Sequence, residues 1–217
     1  MSGPTSPLTR PKLLTDIVCD RLRNAIVDGE LKLGEQVSEV QLSTWLQVSK
    51  TPVRESLLRL KSEGLVEIQP QRGTFVFRLD AAQVTQLCKY RAMIESAALQ
   101  SAMESHRDAL LDGMKKCVEQ MRTSEAAGDL KALAQIDMDF HNLFLINSGD
   151  PYIQTGYSVI RSQLVALRHR APIKNAVASH QVLIDAVAAG DIHRACSLLR
   201  DHVLENEPRY RTACSVD

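Results

Sequence analysis

Residues 49–57 read S-K-T-P-V-R-E-S-L and mark the start of a helix with a basic tip. The first turn of a helix leaves backbone N–H groups without partners, so a serine or threonine here can cap them and Pro52 loses nothing by lacking a donor. Lys50 and Arg54 are four residues apart and share one face, while the valine and leucine share another. The apolar face can therefore dock while the basic face meets phosphates and base edges.

The sequence around this helix predicts a winged helix-turn-helix over residues 10–78. Apolar periodicity and turn residues predict three helices and two strands, at 12–28, 38–46, 49–64, 65–69 and 74–78. Gly73 lies in the turn between the strands and is free to take a positive φ. We expect Lys50, Thr51 and Arg54 at the major groove of DNA and Arg72 with Gly73 in the wing. The alternative is that these are ordinary amphipathic helices of some bundle.

Composition favours a largely helical, intracellular protein. Of 217 residues 44% are hydrophobic and only 4% are aromatic, and alanine and leucine recur at helical spacing. The formal net charge is zero, so the total does not indicate a strongly basic nucleic-acid binder. Five scattered cysteines without a C-x-x-C pair suggest neither a disulfide framework nor a thiolate zinc site. With no signal-peptide or membrane-spanning pattern, we expect a cytoplasmic protein that has no contact with membranes.

The remainder of the chain predicts a second domain over residues 79–217. Asp80 can cap a long helix, and glycine, proline and aspartate then separate further helical segments. Six helices are predicted, at about 81–104, 107–127, 129–147, 151–170, 173–189 and 191–206. Their short connections indicate an antiparallel six-helix bundle, so the fold is mainly α. Residues 1–9, rich in proline, serine and threonine, are expected to form a mobile arm.

Four side chains of the second domain have the chemistry of metal ligands. The pentapeptide D-M-D-F-H places Asp137 and His141 one turn apart on one helix face. His180 and His202 each have apolar neighbours at helical spacing, so both are expected to face the bundle interior. The turn between their helices lies about ten residues after His180 and about eleven before His202. The two imidazoles are therefore expected at a similar height along the two antiparallel helices.

Three imidazoles and one carboxylate would hold a borderline divalent ion such as Zn²⁺ or Ni²⁺, with positions open for water or ligand. The alternative is that each histidine is a hydrogen-bonded core residue. His193 is expected on the solvent side of its helix. Arg91 shares a face with apolar residues, which either a bound carboxylate or an intrahelical pair with Glu95 would explain.

These features together resemble the GntR superfamily of bacterial transcription regulators, in the branch with an FCD domain of the FadR type. In the first domain the resemblance rests on four stretches, L-R-N-A-I-V-D-G-E (22–30), V-S-K-T-P-V-R-E-S-L (48–57), E-G-L-V (63–66) and R-G-T-F-V (72–76). In the second domain it rests on D-M-D-F-H, His180 and His202. It covers residues 12–206 and looks like the shorter, VanR-like version of the second domain.

The resemblance implies a homodimeric, ligand-responsive regulator, which we expect to be a repressor that binds a short palindromic operator. It assigns DNA contact to Arg54 and binding of a small organic acid to Arg91. The metal would be held by the predicted ligands, Asp137, His141, His180 and His202. Five positions depart from the family pattern, Leu33, Val40, Gln47, Lys50 and Asp150, and two of them bear on the recognition helix. Lys50 stands where arginine is common, which favours a phosphate contact, and Gln47 replaces a usual glycine in the helix-turn, where a left-handed conformation would cost about 1 kcal/mol unless the turn differs.

Two other functions remain open at this level. A regulator could respond to the metal alone, without an organic effector. A metal with open positions could also activate water in an enzyme. The sequence contains no nucleophile motif and no phosphate loop, and an enzyme would leave the winged domain unexplained, so we expect no enzymatic activity.

Overall fold

The computed structural model describes residues 12–171 and 175–215 of the chain; the predicted arm at 1–9 lies outside them. The first part, here called the N-terminal head, contains α1 (Leu14–Asp28), β1 (Gln36–Val37), α2 (Glu39–Leu46), α3 (Lys50–Ser62), β2 (Val66–Gln69) and β3 (Gly73–Val76). The second part, here called the helical domain, contains α4 (Ala81–Ser105), α5 (Arg107–Ala127), α6 (Leu130–Asn147), α7 (Pro151–Arg170), α8 (Ala176–Ala189), α9 (Ile192–Leu204) and α10 (Glu207–Ser215). None of the helices in the described ranges has the length and apolar character that a membrane span requires.

The head is a winged helix-turn-helix, as predicted. Its antiparallel sheet has the strand order β1-β3-β2, and β2 pairs with β3 from Val66 opposite Val76 to Gln69 opposite Gly73. The sequence analysis predicted β2 and β3 but missed β1, which pairs only Gln36 and Val37 with β3. A strand of two residues has no alternation to detect, so only its partner defines it.

The turn before α3 has the strained conformation that the sequence analysis considered. Gln47 ends α2 with φ 54° and ψ 43°, in the left-handed region. A non-glycine residue there costs about 1 kcal/mol. Ser49 occupies the N-cap position of α3, but its hydroxyl makes no capping hydrogen bond with the described residues. Val53 and Leu57 are buried in the core of the head, as predicted from their spacing.

Aspartates begin several helices of the helical domain. Asp80 and Gln83 form a capping box at α4, in which each side chain accepts a hydrogen bond from the other residue's backbone N–H. Three further aspartates accept hydrogen bonds from backbone N–H groups in the first turn of their helices, Asp129, Asp150 and Asp191. These caps explain why helix starts could be located from the sequence to within a few residues.

The number of helices differs from the prediction. The sequence analysis ended the bundle at residue 206 with six helices, whereas the described residues add a seventh, α10 (Glu207–Ser215). Pro208 is tolerated because it lies in the first turn, where no intrahelical donor is needed. Tyr210 and Cys214 lie one turn apart and are buried against the core of the helical domain.

Helix α7 connects the helical domain to the head. Ala166 is fully buried and belongs to the head's core. The guanidinium of Arg170 donates hydrogen bonds to three backbone carbonyls at and beyond the C-terminal end of α1, those of Ile26, Val27 and Leu31. Two more polar contacts cross the junction, Lys131 with Asp28 at 2.8 Å and Gln163 with the carbonyl of Gly64 at 2.9 Å. The C-terminal half of α7 is thus shared by both parts.

Candidate functional site

The four predicted metal ligands meet inside the helical domain. One ligand atom from each of Asp137, His141, His180 and His202 can be chosen so that all four atoms lie within 4.8 Å of one another. Asp137 and His141 come from α6, His180 from α8 and His202 from α9. The ring centroids of His180 and His202 are 4.6 Å apart, so the predicted matching of heights across the turn between α8 and α9 is correct.

Hydrogen-bonding groups orient two of the three imidazoles. Nδ1 of His141 lies 2.8 Å from the Glu95 carboxylate, and Nδ1 of His180 lies 2.7 Å from the carbonyl of Ala176. The opposite ring atom, Nε2, of His180 is 2.9 Å from the Asp137 carboxylate. Metal-binding histidines generally use their second nitrogen in this way, because the outer bond fixes ring orientation and tautomer. The Nε2 atoms of His141 and His202 are buried and lack a hydrogen-bond partner among the described residues, whereas that of His180 meets only Asp137, another member of the cluster.

Burial sets the protonation state of this cluster. It lowers the pKa of His141 to about 4, although Glu95 acts in the opposite direction. It also lowers the pKa of His202 well below its usual value, helped by the neighbouring imidazoles. Burial raises the pKa of the Asp137 carboxyl, but Arg168 and the imidazoles outweigh it and hold that pKa well below its usual value. Near neutral pH, the neutral imidazoles of His141 and His202 therefore face an ionised carboxylate, which is the state that binds a cation.

The residues present fit a divalent metal ion. Three imidazoles and a carboxylate are ligands for Zn²⁺ or Ni²⁺, and one potential ligand atom of each lies within 4.8 Å of the other three. The alternative of separate, hydrogen-bonded core histidines does not account for the buried Nε2 atoms of His141 and His202, which have no hydrogen-bond partner among the described residues. The geometry favours the metal-site interpretation.

Arg91 lies beside this cluster. Of the two interactions considered for it, a bound carboxylate and an intrahelical pair with Glu95, the structure contains the pair. Its Nε donates to Glu95 at 2.7 Å, so the intrahelical pair forms, and both side chains are completely buried. Its Nη1 donates to the hydroxyl of Tyr210 at 3.3 Å. Its Nη2 is buried and has no hydrogen-bond partner among the described residues. The pair with Glu95 therefore leaves part of the guanidinium available to a bound anion.

The sequence analysis missed a second buried arginine at this site. Arg168 of α7 is only 1% exposed and places Nη1 2.6 Å from the far oxygen of Asp137. Its Nε donates to Tyr210, the same hydroxyl that Arg91 uses, at 3.2 Å. Glu95 was considered only as a partner of Arg91, and its contact with His141 was not foreseen. The only sequence signal for Arg168 was its place at an apolar position of the helical pattern. Its contacts with Asp137 and Tyr210 depend on how the helices pack and have no local signal.

The predicted DNA contacts lie on the surface of the head. Lys50 and Thr51 are exposed in the first turn of α3. Arg54, also exposed, donates from Nε and Nη2 to both oxygens of Glu39, at 2.8 and 2.7 Å. A surface pair of this kind contributes little to stability because solvent screens it, so DNA can replace it. The sequence analysis did not foresee this pairing.

The predicted wing contact lies at the turn between β2 and β3. Arg72 is exposed, and its backbone carbonyl accepts a hydrogen bond from Gln36 at 2.9 Å. Gly73 has φ 116°, and a Cβ there would come within 2.7 Å of the Gln36 amide nitrogen. Glycine is therefore favoured at this position by its positive φ, whereas the Gln36 side chain could move to make space for a Cβ.

Comparison with known proteins identifies two family matches. Residues 14–76 match the model described as bacterial regulatory proteins, gntR family, and residues 86–205 match the FCD domain. The chain is 30% identical to the HTH-type transcriptional regulator in unstable DNA locus of Streptomyces ambofaciens, over 84% of this chain and 79% of that protein. It is 27% identical to the HTH-type transcriptional repressor NanR of Citrobacter rodentium, over 91% of this chain and 85% of that protein.

Solved structures agree with this fold. The transcriptional regulator GntR from Rhodococcus sp. RHA1 superposes with a TM-score of 0.73 at 23% identity, covering 90% of this chain and 96% of that one. E. coli McbR/YncC gives a TM-score of 0.71 at 22% identity, covering 93% of this chain and 99% of that one. At these identities the likeness supports the arrangement of head and helical domain.

Proposed function

The chain belongs to the gntR family of bacterial regulatory proteins and carries an FCD domain, and from that premise we propose that it is a repressor controlled by a metal ion and a small organic acid. Its families and relatives are DNA-binding transcriptional regulators, so the enzyme alternative is rejected. We further propose that it acts in the cytoplasm as a homodimer on a palindromic operator.

The observation that carries this proposal is the convergence of four ligand groups in the buried core of the helical domain. Asp137, His141, His180 and His202 would hold one Zn²⁺ or Ni²⁺ ion. Such an ion supplies positive charge and open coordination positions at which a carboxylate can bind. Glu95 fixes the orientation of His141, and Arg168 holds the second oxygen of Asp137, so both ligands are positioned before the ion arrives.

Arg91 supplies the proposed contact with the acid. It is buried beside the metal ligands, and its Nη2 has no partner among the described residues. A carboxylate can accept a charge-assisted hydrogen bond from this group while it also binds the metal. Because α4 and α6, which carry Arg91 and two of the proposed metal ligands, pack against α7, we propose that the acid alters how α7 holds the head.

The head supplies the DNA contacts. We propose that α3 enters the major groove, with Lys50 at a phosphate, Thr51 nearby and Arg54 at a base edge. Arg54 would exchange its pair with Glu39 for this contact. Arg72 would approach the backbone or the minor groove from the wing, whose turn depends on Gly73.

A two-stage DNA-binding experiment tests this function. Genomic fragments retained by the zinc-loaded protein are sequenced to obtain an operator, and fluorescence anisotropy then measures operator affinity for three chains: wild type, Arg54→Ala and Arg122→Ala. Arg122 is exposed on α5, far from the proposed contact in sequence, and serves as the control. Loss of one base contact costs about 1–3 kcal/mol, so Arg54→Ala should bind roughly 5–150-fold more weakly. Equal affinity of Arg54→Ala and wild type would refute the assigned face.

The same assay separates the two regulatory alternatives. Operator affinity is measured with zinc, after chelation, and with zinc plus a panel of organic acids. A change with acid at constant zinc supports the proposed effector. If operator affinity changes after chelation but not with any acid, the chain would instead be a regulator that senses the metal alone.

A further inference from the structure

Two buried arginines of the helical domain converge on one hydroxyl group. Arg91 comes from α4 and Arg168 from α7, and neither is more than 1% exposed. Both donate to the hydroxyl of Tyr210 of α10, at 3.3 and 3.2 Å, so the two guanidinium groups meet at the same oxygen. Such close approach of two buried cations is unfavourable unless anions lie nearby.

Each guanidinium has one carboxylate partner and hydrogen-bonding capacity to spare. Arg91 pairs with Glu95 and Arg168 pairs with Asp137, at 2.7 and 2.6 Å. In both arginines Nη2 is buried and has no hydrogen-bond partner among the described residues. Buried polar groups in folded proteins are almost always satisfied, so free Nη2 groups on two arginines that share one hydroxyl are consistent with a ligand that accepts from both.

Charge balance specifies this ligand further. Within the buried cluster, Glu95 and Asp137 neutralise the two arginines, and an imidazole that binds a metal does so in its neutral form. A divalent ion among the ligands then adds two positive charges that no other buried carboxylate compensates in the described part of the chain. An uncompensated buried charge is costly, so two negative charges are required from the ligand.

We propose that the effector is a small dicarboxylate, with one carboxylate bound at the metal and the other accepting from Arg91 and Arg168. This inference rests on the proposed function, since it assumes that an organic acid binds beside the metal. A monocarboxylate would leave one positive charge and one set of guanidinium N–H groups unsatisfied. The second arginine thus selects for ligands with two separated anionic groups.

Matched acid pairs test the inference by isothermal titration calorimetry on the zinc-loaded full chain. The pairs are L-malate with L-lactate and succinate with propionate, in which the second member lacks one carboxylate. We expect the dicarboxylate of at least one pair to bind about 30-fold more tightly than its partner, as the loss of one charge-assisted pair implies. Inorganic phosphate, a dianion with a single centre, is expected to bind more weakly than that dicarboxylate.

A conservative variant assigns the preference to the second arginine. Arg168→Lys keeps the charge beside Asp137 but removes the free Nη2 group. We expect it to retain one zinc per chain, measured by mass spectrometry of the metal, while the preference for the dicarboxylate falls to about 3-fold or less. Arg161→Lys, at an exposed position of the same helix, should leave the preference unchanged.

Four outcomes would overturn the inference, and they have different consequences for the proposed function. Equal binding of both members of every pair, or phosphate binding as tightly as the best dicarboxylate, would refute it but leave an acid effector in place. An unchanged preference in zinc-loaded Arg168→Lys would refute the role of this arginine. Binding of zinc but of no acid would refute the inference together with the acid effector.

Discussion

Replacing Arg170 by alanine should loosen the head from the helical domain. This side chain donates to three backbone carbonyls at and beyond the end of α1, those of Ile26, Val27 and Leu31. A hydrogen bond from a charged donor contributes about 1.5–3 kcal/mol, and water can replace part of it because the side chain is only half-buried. The positive charge near the C-terminal end of α1 adds up to about 1 kcal/mol. We therefore expect a loss of about 2–4 kcal/mol in the stability of the head.

The protein contains a natural reporter for this measurement. Trp45 is its single tryptophan and lies in the head, with the guanidinium of Arg21 4.5 Å from the ring centroid. Trp45 fluorescence therefore follows unfolding of the head, whereas circular dichroism is dominated by the helical domain. For a domain of about 60 residues the expected loss lowers the midpoint by roughly 15–30 °C.

The variant and its control give a clear contrast. In Arg170→Ala the fluorescence transition should move below the circular dichroism transition, while zinc content stays at the wild-type level. The variant should also lose much of the zinc-dependent change in operator affinity. Arg161→Ala changes an exposed arginine of the same helix and should leave the fluorescence midpoint unchanged. A fluorescence midpoint for Arg170→Ala within about 2 °C of the wild-type value would refute the role given to this contact.

Three further changes test local parts of the account. Gln47→Gly should stabilise the head by about 1 kcal/mol in urea denaturation, because glycine removes the left-handed strain; an unchanged midpoint would contradict this. Glu95→Gln should weaken zinc binding by at least about tenfold in competition with a chromogenic chelator, since His141 loses its orienting carboxylate; unchanged affinity would contradict it. In the metal-free protein, burial lowers the pKa of His141 to about 4, below the value near 6.5 in the unfolded chain, so the unfolded chain binds the extra proton between these values. The free energy of unfolding of the metal-free protein should therefore rise by about 3 kcal/mol between pH 4 and 6.5. A free energy of unfolding from urea denaturation that does not change with pH would exclude this contribution.

The helices and the four candidate ligands could be predicted because their determinants are local. Aspartate caps, glycine stops and apolar periodicity determine where helices begin and end. His180 and His202 could be matched because a short turn fixes the alignment of α8 and α9. The predicted set Asp137, His141, His180 and His202 is brought together in the structure.

The missed features depend on contacts between distant parts of the chain. β1 exists only as a partner of β3, and α10 is held by burial of Tyr210 and Cys214. Arg168 lies 31 residues after Asp137 in the sequence, and nothing in the local pattern indicates which carboxylate it meets. Periodicity shows that a side chain faces inward but not what it contacts there.

The most direct test of the account is the metal stoichiometry of three purified chains after equilibrium dialysis against zinc: wild type, His180→Ala and His193→Ala. His193 is exposed on α9 and is the matched control. The account predicts one tightly bound zinc per chain in wild type and His193→Ala, and an affinity at least about 100-fold lower in His180→Ala, with unchanged helix content. Equal zinc binding by all three chains, or none by wild type, would contradict the central claim that these four side chains form a metal site.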